Sequence, residues 1–241
     1  MKGEWKYGPA KDHGLSWGEG QRSLSREAGL ASMGTALVWR WGTGAYLRVY
    51  HRLAIDGRER LPCAPPFVVA ANHTSHLDAV SVASAMPGKL SKRVFPLAAG
   101  DTFFESVASS AFAANCLNAL PVWRRRRSPG VRALEELRTR LVDDRCIYII
   151  FPEGTRSRDG SLSAFKPGIG RLVGGTAVPV IPCLLRGTRE ALPPTRSVPR
   201  PRRITVRFGA PLLFSNLTNG KRDCRVIAAE TEASVRALEK T

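Results

Sequence analysis

Phe67-Val68-Val69-Ala70-Ala71-Asn72-His73-Thr74-Ser75-His76-Leu77-Asp78 is the stretch on which the reading of the fold turns. Its first five residues are apolar at odd and even positions alike, which predicts a strand buried on both faces of a sheet. Asn72 to Leu77 then break the pattern with polar and turn-forming residues. Asp78 opens a run of Ala, Val and Ser that reads as a helix. Strand, tight turn, helix is the beginning of an α/β unit.

Working outward, apolar runs of the same kind recur at 94–98, 147–151, 180–185 and 204–208. Weaker strand candidates lie at 53–58 and 120–123. Between them, Ser128-Pro129 offers an N-cap followed by proline at the first helical position. Val131, Leu134, Leu137 and Leu141 then recur at helical spacing. A last helix follows Asn219-Gly220, with Ile227, Thr231, Val235 and Leu238 on one stripe. Pro179 suits the start of the 180–185 strand, and Pro182 suggests an edge or a bulge. Proline-rich 193–203 reads as an exposed loop. The alternation predicts one α/β sandwich domain with a central, mostly parallel sheet flanked by helices, over 55–241.

Residues 1–30 are rich in Gly, Ser and charge without periodicity and read as a flexible tail. In 31–54, Leu37, Val38, Trp39, Trp41, Tyr46, Leu47, Val49 and Tyr50 stand among Arg40, Arg48, His51 and Arg52. Trp and Tyr favour the headgroup boundary and arginines reach for phosphates, so the segment reads as a membrane-interface helix. A helix packed on the domain's own core is the alternative. The uncharged stretch 28–39 falls short of the roughly 20 apolar residues a spanning helix needs. With no apolar signal segment at the N-terminus, the expected setting is cytoplasmic.

Of the 241 residues, 37 are Lys or Arg and 20 Asp or Glu, a net charge of +17. Such an excess calls for a polyanionic neighbour, nucleic acid or an anionic membrane. Aromatics make up only 7%, and no run interleaves them with basic residues as a single-strand reader would, which favours the membrane. The five cysteines (Cys63, Cys116, Cys146, Cys183 and Cys224) are scattered and odd in number, so neither a disulfide framework nor a zinc site is expected.

Two constellations carry chemistry. His73 follows a strand end, where sites gather in α/β sheets, and has Asp78 five residues on. A carboxylate on one ring nitrogen fixes the tautomer and leaves the other as a base, half a triad whose nucleophile comes from the substrate. Two other readings stand beside it: His73, His76 and Asp78 as metal ligands, or Asp78 as a mere helix cap. The second constellation is Phe151-Pro152-Glu153-Gly154-Thr155-Arg156-Ser157, again after a strand. Gly154 lets a backbone approach a ligand, Thr155 offers a hydroxyl, and Arg156 a fork suited to phosphate. Glu153 pairs an arginine or holds the loop, and an ordinary turn is the bland alternative. In Leu120-Pro121-Val122-Trp123-Arg124, only Arg124 of the four consecutive arginines is placed to enter a cleft.

In this order, these segments resemble the glycerolipid acyltransferase family. His73 to Asp78 is similar to its H-x-x-x-x-D motif, 120–124 to its second block, 151–157 to F-P-E-G-T-R-S, and 178–182 to its fourth block. The resemblance implies that His73 deprotonates an acceptor hydroxyl as it attacks an acyl thioester, with Asp78 orienting the imidazole. It further implies that Arg156, Arg124 and Thr155 hold the acceptor's phosphate and that Glu153 and Gly154 shape that pocket. The implied acceptor is a lysophospholipid, above all 1-acyl-sn-glycerol-3-phosphate, and the donor is acyl-CoA or acyl carrier protein, a co-substrate rather than a cofactor. No metal and no nucleic-acid partner are expected. The expected location is the cytoplasmic face of the cell membrane, peripherally bound to anionic lipid. Trp123 stands where the family commonly has an acidic residue, and 98–101 lack the lysine many members carry there.

Overall fold

The computed structural model describes residues 14–24, 30–100, 106–122, 124–125 and 128–240. Nine strands lie among them: β1 (Ala54–Asp56), β2 (Phe67–Ala71), β3 (Val94–Ala99), β4 (Leu120–Val122), β5 (Arg124–Arg125), β6 (Ser128–Pro129), β7 (Ile147–Ile150), β8 (Val180–Arg186) and β9 (Thr205–Phe208). Seven form one sheet in the order β1-β9-β8-β2-β7-β3-β4. Every neighbouring pair in it is parallel except β8–β9. The mostly parallel sheet expected from the apolar runs is therefore the one observed.

The helices are α1 (Trp17–Arg22), α2 (Leu30–Tyr50), α3 (Asp78–Ala85), α4 (Val107–Asn115), α5 (Val131–Asp143), α6 (Gly168–Val173), α7 (Thr188–Ala191) and α8 (Lys221–Ala237). Alternate residues of β2 and β7 feed opposite cores. Val68, Ala70, Tyr148 and Ile150 pack with Leu137, Leu172 and Ile227 of α5, α6 and α8. Phe67, Val69, Ala71, Ile147 and Ile149 pack with Val82 and Ala85 of α3. A strand covered on both faces must be apolar at every position, which is why the central strands read as uninterrupted runs. The weaker candidates, β1 and β4, are the two short edges.

Four local expectations change. Ser128-Pro129 do not start a helix: they pair antiparallel with Arg124 and Arg125, and α5 begins at Val131 behind Gly130. A two-strand pairing here outweighs a local capping signal. Within the expected tail, Ser16 and Glu19 exchange reciprocal hydrogen bonds as a capping box that starts α1, and Leu24 is buried in the main core. Residues 1–13 and 25–29 lie outside the described residues. The expected helix over 31–54 ends at Tyr50, because Arg52 adopts φ +48° and β1 starts at Ala54.

Pro182, read as an edge or bulge signal, sits in the interior strand β8. Val180 exchanges both backbone hydrogen bonds with Leu212, and the Pro182 carbonyl accepts from Gly209. The even-numbered residues of β8 therefore aim at the β9 side, where the ladder ends with Phe208. Proline has no N–H to return the Gly209 bond, so the ladder stops there and resumes at Val180 and Leu212. One extra residue stands on the partner side, the bulge rather than the edge that proline signals.

Candidate active site

Because β2, β7, β3 and β4 run parallel, the loops that follow them all leave at one edge of the sheet. Val69 stands opposite Ile149 and Ala70 opposite Ile150, so the turn after β2 and the loop after β7 emerge side by side. The two are also tied together. The His73 N–H donates to Glu153 Oε1 at 2.7 Å, and the Ser157 N–H donates to the His73 carbonyl at 2.8 Å. Glu153 is 3% exposed, and its other oxygen accepts from the Ser163 N–H at 3.0 Å. Of the two roles expected for Glu153, holding the loop is the one seen. Burial pushes its carboxyl above the usual range, against the pull of the two backbone donors.

His73 Nδ1 donates to Asp78 Oδ2 at 2.8 Å. The His73 side chain is 21% exposed and the Asp78 carboxylate fully buried. The same Oδ2 accepts from the backbone N–H of Thr74 at 2.6 Å and of Ser75 at 2.7 Å. One oxygen thus closes the turn and fixes the imidazole. With Nδ1 occupied, Nε2 is the free nitrogen of a ring stacked on Phe151, centroids 4.1 Å apart and planes 19° from parallel. The turn is held from behind as well. Asn72 donates to the Leu185 carbonyl at 3.0 Å and accepts the Leu185 N–H at 2.7 Å. Ser75 Oγ donates to the Leu192 carbonyl at 2.7 Å.

A cavity of about 420 Å³ opens between the two loops. His73, His76, Thr155, Arg156 and Lys166 supply its polar side chains; Ala79, Val80, Pro96, Leu97, Leu134 and Leu137 are among its apolar ones. A second cavity of about 270 Å³ shares Ala79, Val80, Pro96 and Leu117 and runs under α2 past Leu37, Trp39 and Arg40. The arrangement is a polar, cationic end around the histidine with an apolar extension. The Arg156 guanidinium contacts His76 Nε2, and His76 is held below its ordinary pKa by burial first and the Arg156 charge second. Thr155 is exposed at the rim. Arg124 lies in β5 as a strand residue, and its side chain falls outside the described residues.

Lys166 is the residue that motif reading misses. Gly154 has φ +75°, which disfavours any side chain, and a Cβ built there would lie 2.5 Å from Lys166 Nζ, so a larger residue would displace the lysine from its path across that loop. The Lys166 N–H donates to the Pro152 carbonyl at 2.9 Å, fixing the start of the side chain beside the cavity. Its signal in the sequence is a lone lysine in Phe165-Lys166-Pro167-Gly168, ten residues beyond Arg156, with nothing local to connect it to the site.

Residues 52–186 match the model of the family described as Acyltransferase. Over 139 residues the chain is 28% identical to human 1-acyl-sn-glycerol-3-phosphate acyltransferase alpha, covering 58% of this chain and 47% of that one. It is 30% identical over 145 residues to the chloroplastic 1-acyl-sn-glycerol-3-phosphate acyltransferase LPAT1 of Arabidopsis thaliana, covering 60% and 38%. The chain spans about half the length of such relatives, or less. The fold is shared with the crystal structure of the 1-acyl-sn-glycerophosphate (LPA) acyltransferase PlsC from Thermotoga maritima. The TM-score is 0.66 at 24% identity, over 90% of this chain and 83% of that one.

Proposed function

The chain belongs to the Acyltransferase family, and on that premise we propose that it esterifies the free hydroxyl of 1-acyl-sn-glycerol-3-phosphate to give phosphatidic acid. The acyl group comes from a thioester, acyl-CoA or acyl carrier protein. The observation that carries this reading is the Nδ1–Oδ2 hydrogen bond between His73 and Asp78 at a cavity whose cations are Arg156 and Lys166. His73 Nε2 takes the proton from the acceptor hydroxyl as its oxygen attacks the thioester carbonyl carbon. The tetrahedral intermediate collapses with loss of the C–S bond, and the proton on His73 passes to the departing thiolate. Asp78 holds the ring in the tautomer that leaves Nε2 unprotonated and stabilises the imidazolium that forms.

Arg156 and Lys166, with Thr155 at the rim, hold the acceptor's phosphate, for which a guanidinium fork and an ammonium are suited, and Arg124 joins them on the family resemblance alone. Glu153 and Gly154 act on that pocket indirectly, one by holding the loop and the other by letting Lys166 across it. The apolar extension under α2 accommodates acyl chain. Leu37, Val38, Trp41 and Val49 of α2 are 52%, 74%, 76% and 82% exposed, a face that suits the boundary of an anionic bilayer, on its cytoplasmic side. No described helix is long and apolar enough to cross a membrane.

The test is product formation from oleoyl-CoA and oleoyl-carrier protein with a panel of acceptors: lysophosphatidic acid, lysophosphatidylcholine and monoacylglycerol. Turnover should be highest with lysophosphatidic acid, whose phosphate monoester carries the most negative charge. Equal turnover with monoacylglycerol would sink the phosphate-binding role of Arg156 and Lys166.

A further inference from the structure

The proline-rich loop over 193–203 contributes no residue to the lining of the cavity at His73. Pro193, Pro194, Pro199 and Pro201 restrict its backbone, and Arg196, Arg200, Arg202 and Arg203 are all exposed on it. Val198 stands between Arg196 and Arg200 and is 74% exposed. The loop is fastened to the end of α2. Tyr50 Oη donates to the Pro199 carbonyl at 3.3 Å, His51 Nδ1 donates to the Arg202 carbonyl at 3.1 Å, and the Ile204 N–H donates to the His51 carbonyl at 3.0 Å. Tyr50 stacks on Tyr46 with centroids 5.2 Å apart. The Tyr50–Pro199 bond holds the loop against the end of α2, and the residues that precede the bonded pair in sequence, Val49 and Val198, are both exposed, as are Arg48 and Arg52.

We propose that the 193–203 loop is a second membrane-contact element, joined to α2, that takes anionic phospholipid headgroups on its arginines while Val198 enters the interface. This rests on the reading of α2 as an interfacial helix. Charge alone would suit any polyanion. An exposed valine among the loop's arginines, on a loop bonded to a stacked tyrosine, suits the zone where acyl chain meets headgroup, and that selects lipid. The loop is also bound to the turn that carries His73: it leaves from Leu192, whose carbonyl accepts Ser75 Oγ, and the Arg200 N–H returns to the Ala191 carbonyl at 2.7 Å. A bilayer gripping the loop and α2 would set the orientation of that turn relative to the lipid surface.

The experiment is vesicle co-sedimentation of the whole chain on phosphatidylcholine with and without phosphatidylglycerol. It compares the parent, the loop variant R196Q/V198S/R200Q, and R222Q/R225Q, which removes two exposed charges from α8. At roughly fivefold in partition per surface arginine, the loop variant should bind anionic vesicles on the order of 25-fold more weakly from charge alone. R222Q/R225Q should lose much less, and the loop variant should keep its turnover in detergent micelles. Equal losses in both variants would mean that net charge, not the loop, sets binding, and would overturn the inference. So would a loop variant that binds like the parent, or one that binds vesicles normally yet loses turnover with acyl carrier protein, which would make the loop a protein-docking site. A parent that binds no vesicles would refute the interfacial reading of α2 together with this inference.

Discussion

Replacing Asp78 by asparagine and, separately, by alanine distinguishes two tasks that one oxygen performs. Oδ2 accepts from His73 Nδ1 and also from two backbone donors, Thr74 and Ser75, both on buried residues. Asparagine keeps an acceptor in that position, so the turn stays closed. Its amide nitrogen falls where Oδ1 now has no hydrogen-bond partner, exchanging one unpartnered buried atom for another. What it removes is the negative charge beside an imidazole that must become imidazolium. A general base is worth about 10²–10⁴ in rate, and the loss should fall in that range. Alanine removes the acceptor as well. Two buried N–H groups left unsatisfied cost about 1–3 kcal/mol each, about 2–6 kcal/mol together. At roughly 2–4 °C per kcal/mol for a chain of this size, Asp78→Ala should melt about 4–24 °C lower than the parent. Thermal unfolding followed by circular dichroism, alongside thiol release with oleoyl-CoA and lysophosphatidic acid, gives both readings. Should Asp78→Asn turn over like the parent while Asp78→Ala loses activity only in step with its unfolding, Asp78 would be a turn staple and not a partner of the base.

Three further outcomes are expected. Gly154→Ala places a Cβ against Lys166 Nζ at φ +75°, so it should raise the KM for lysophosphatidic acid roughly tenfold, the lower end of a charge-assisted hydrogen bond of ~1.5–3 kcal/mol. Lys166→Met, which leaves the loop unstrained, should match it in KM while keeping the parent's melting temperature. Asn72→Ala strands the buried N–H and C=O of Leu185, and the urea midpoint should register a loss of about 2–6 kcal/mol. His76 titrates below its ordinary 6.5 in the fold, so as pH falls through 6.5 the unfolded chain takes up the proton first. Stability should therefore decline from 6.5 down to the lowered native value and level off below it. His76→Gln should flatten that stretch in a series of denaturation curves, and an unchanged slope would count against the depressed pKa.

How far the fold could be read in advance follows from where each signal is stored. Phe67–Ala71 and Ile147–Ile150 declare themselves because a strand buried on both faces has to be apolar throughout. Asp78 declares itself because its partner lies five residues away, within one turn. The contact between Glu153 and the His73 N–H spans 80 residues and exists only through the register of β2 with β7, which no local pattern encodes. Lys166 reaches the site by crossing a glycine twelve residues before it, and only the close approach of its side chain to Gly154 reveals the crossing. The Ser128-Pro129 hairpin shows the opposite error, a strong local helix signal overruled by pairing with Arg124 and Arg125. The capping box at Ser16 and Glu19 was written in the sequence as S-x-x-E but stood in a stretch whose composition suggested a tail.

The most direct test of the central claim is a comparison of the parent with His73→Ala for thiol release and phosphatidic acid formation from oleoyl-CoA and lysophosphatidic acid at neutral pH. The parent should make phosphatidic acid, and the variant, folded to the same melting temperature, should be slower by at least ~100-fold, the low end for losing a general base. Equal rates in the two proteins would contradict it, because the base would then lie elsewhere.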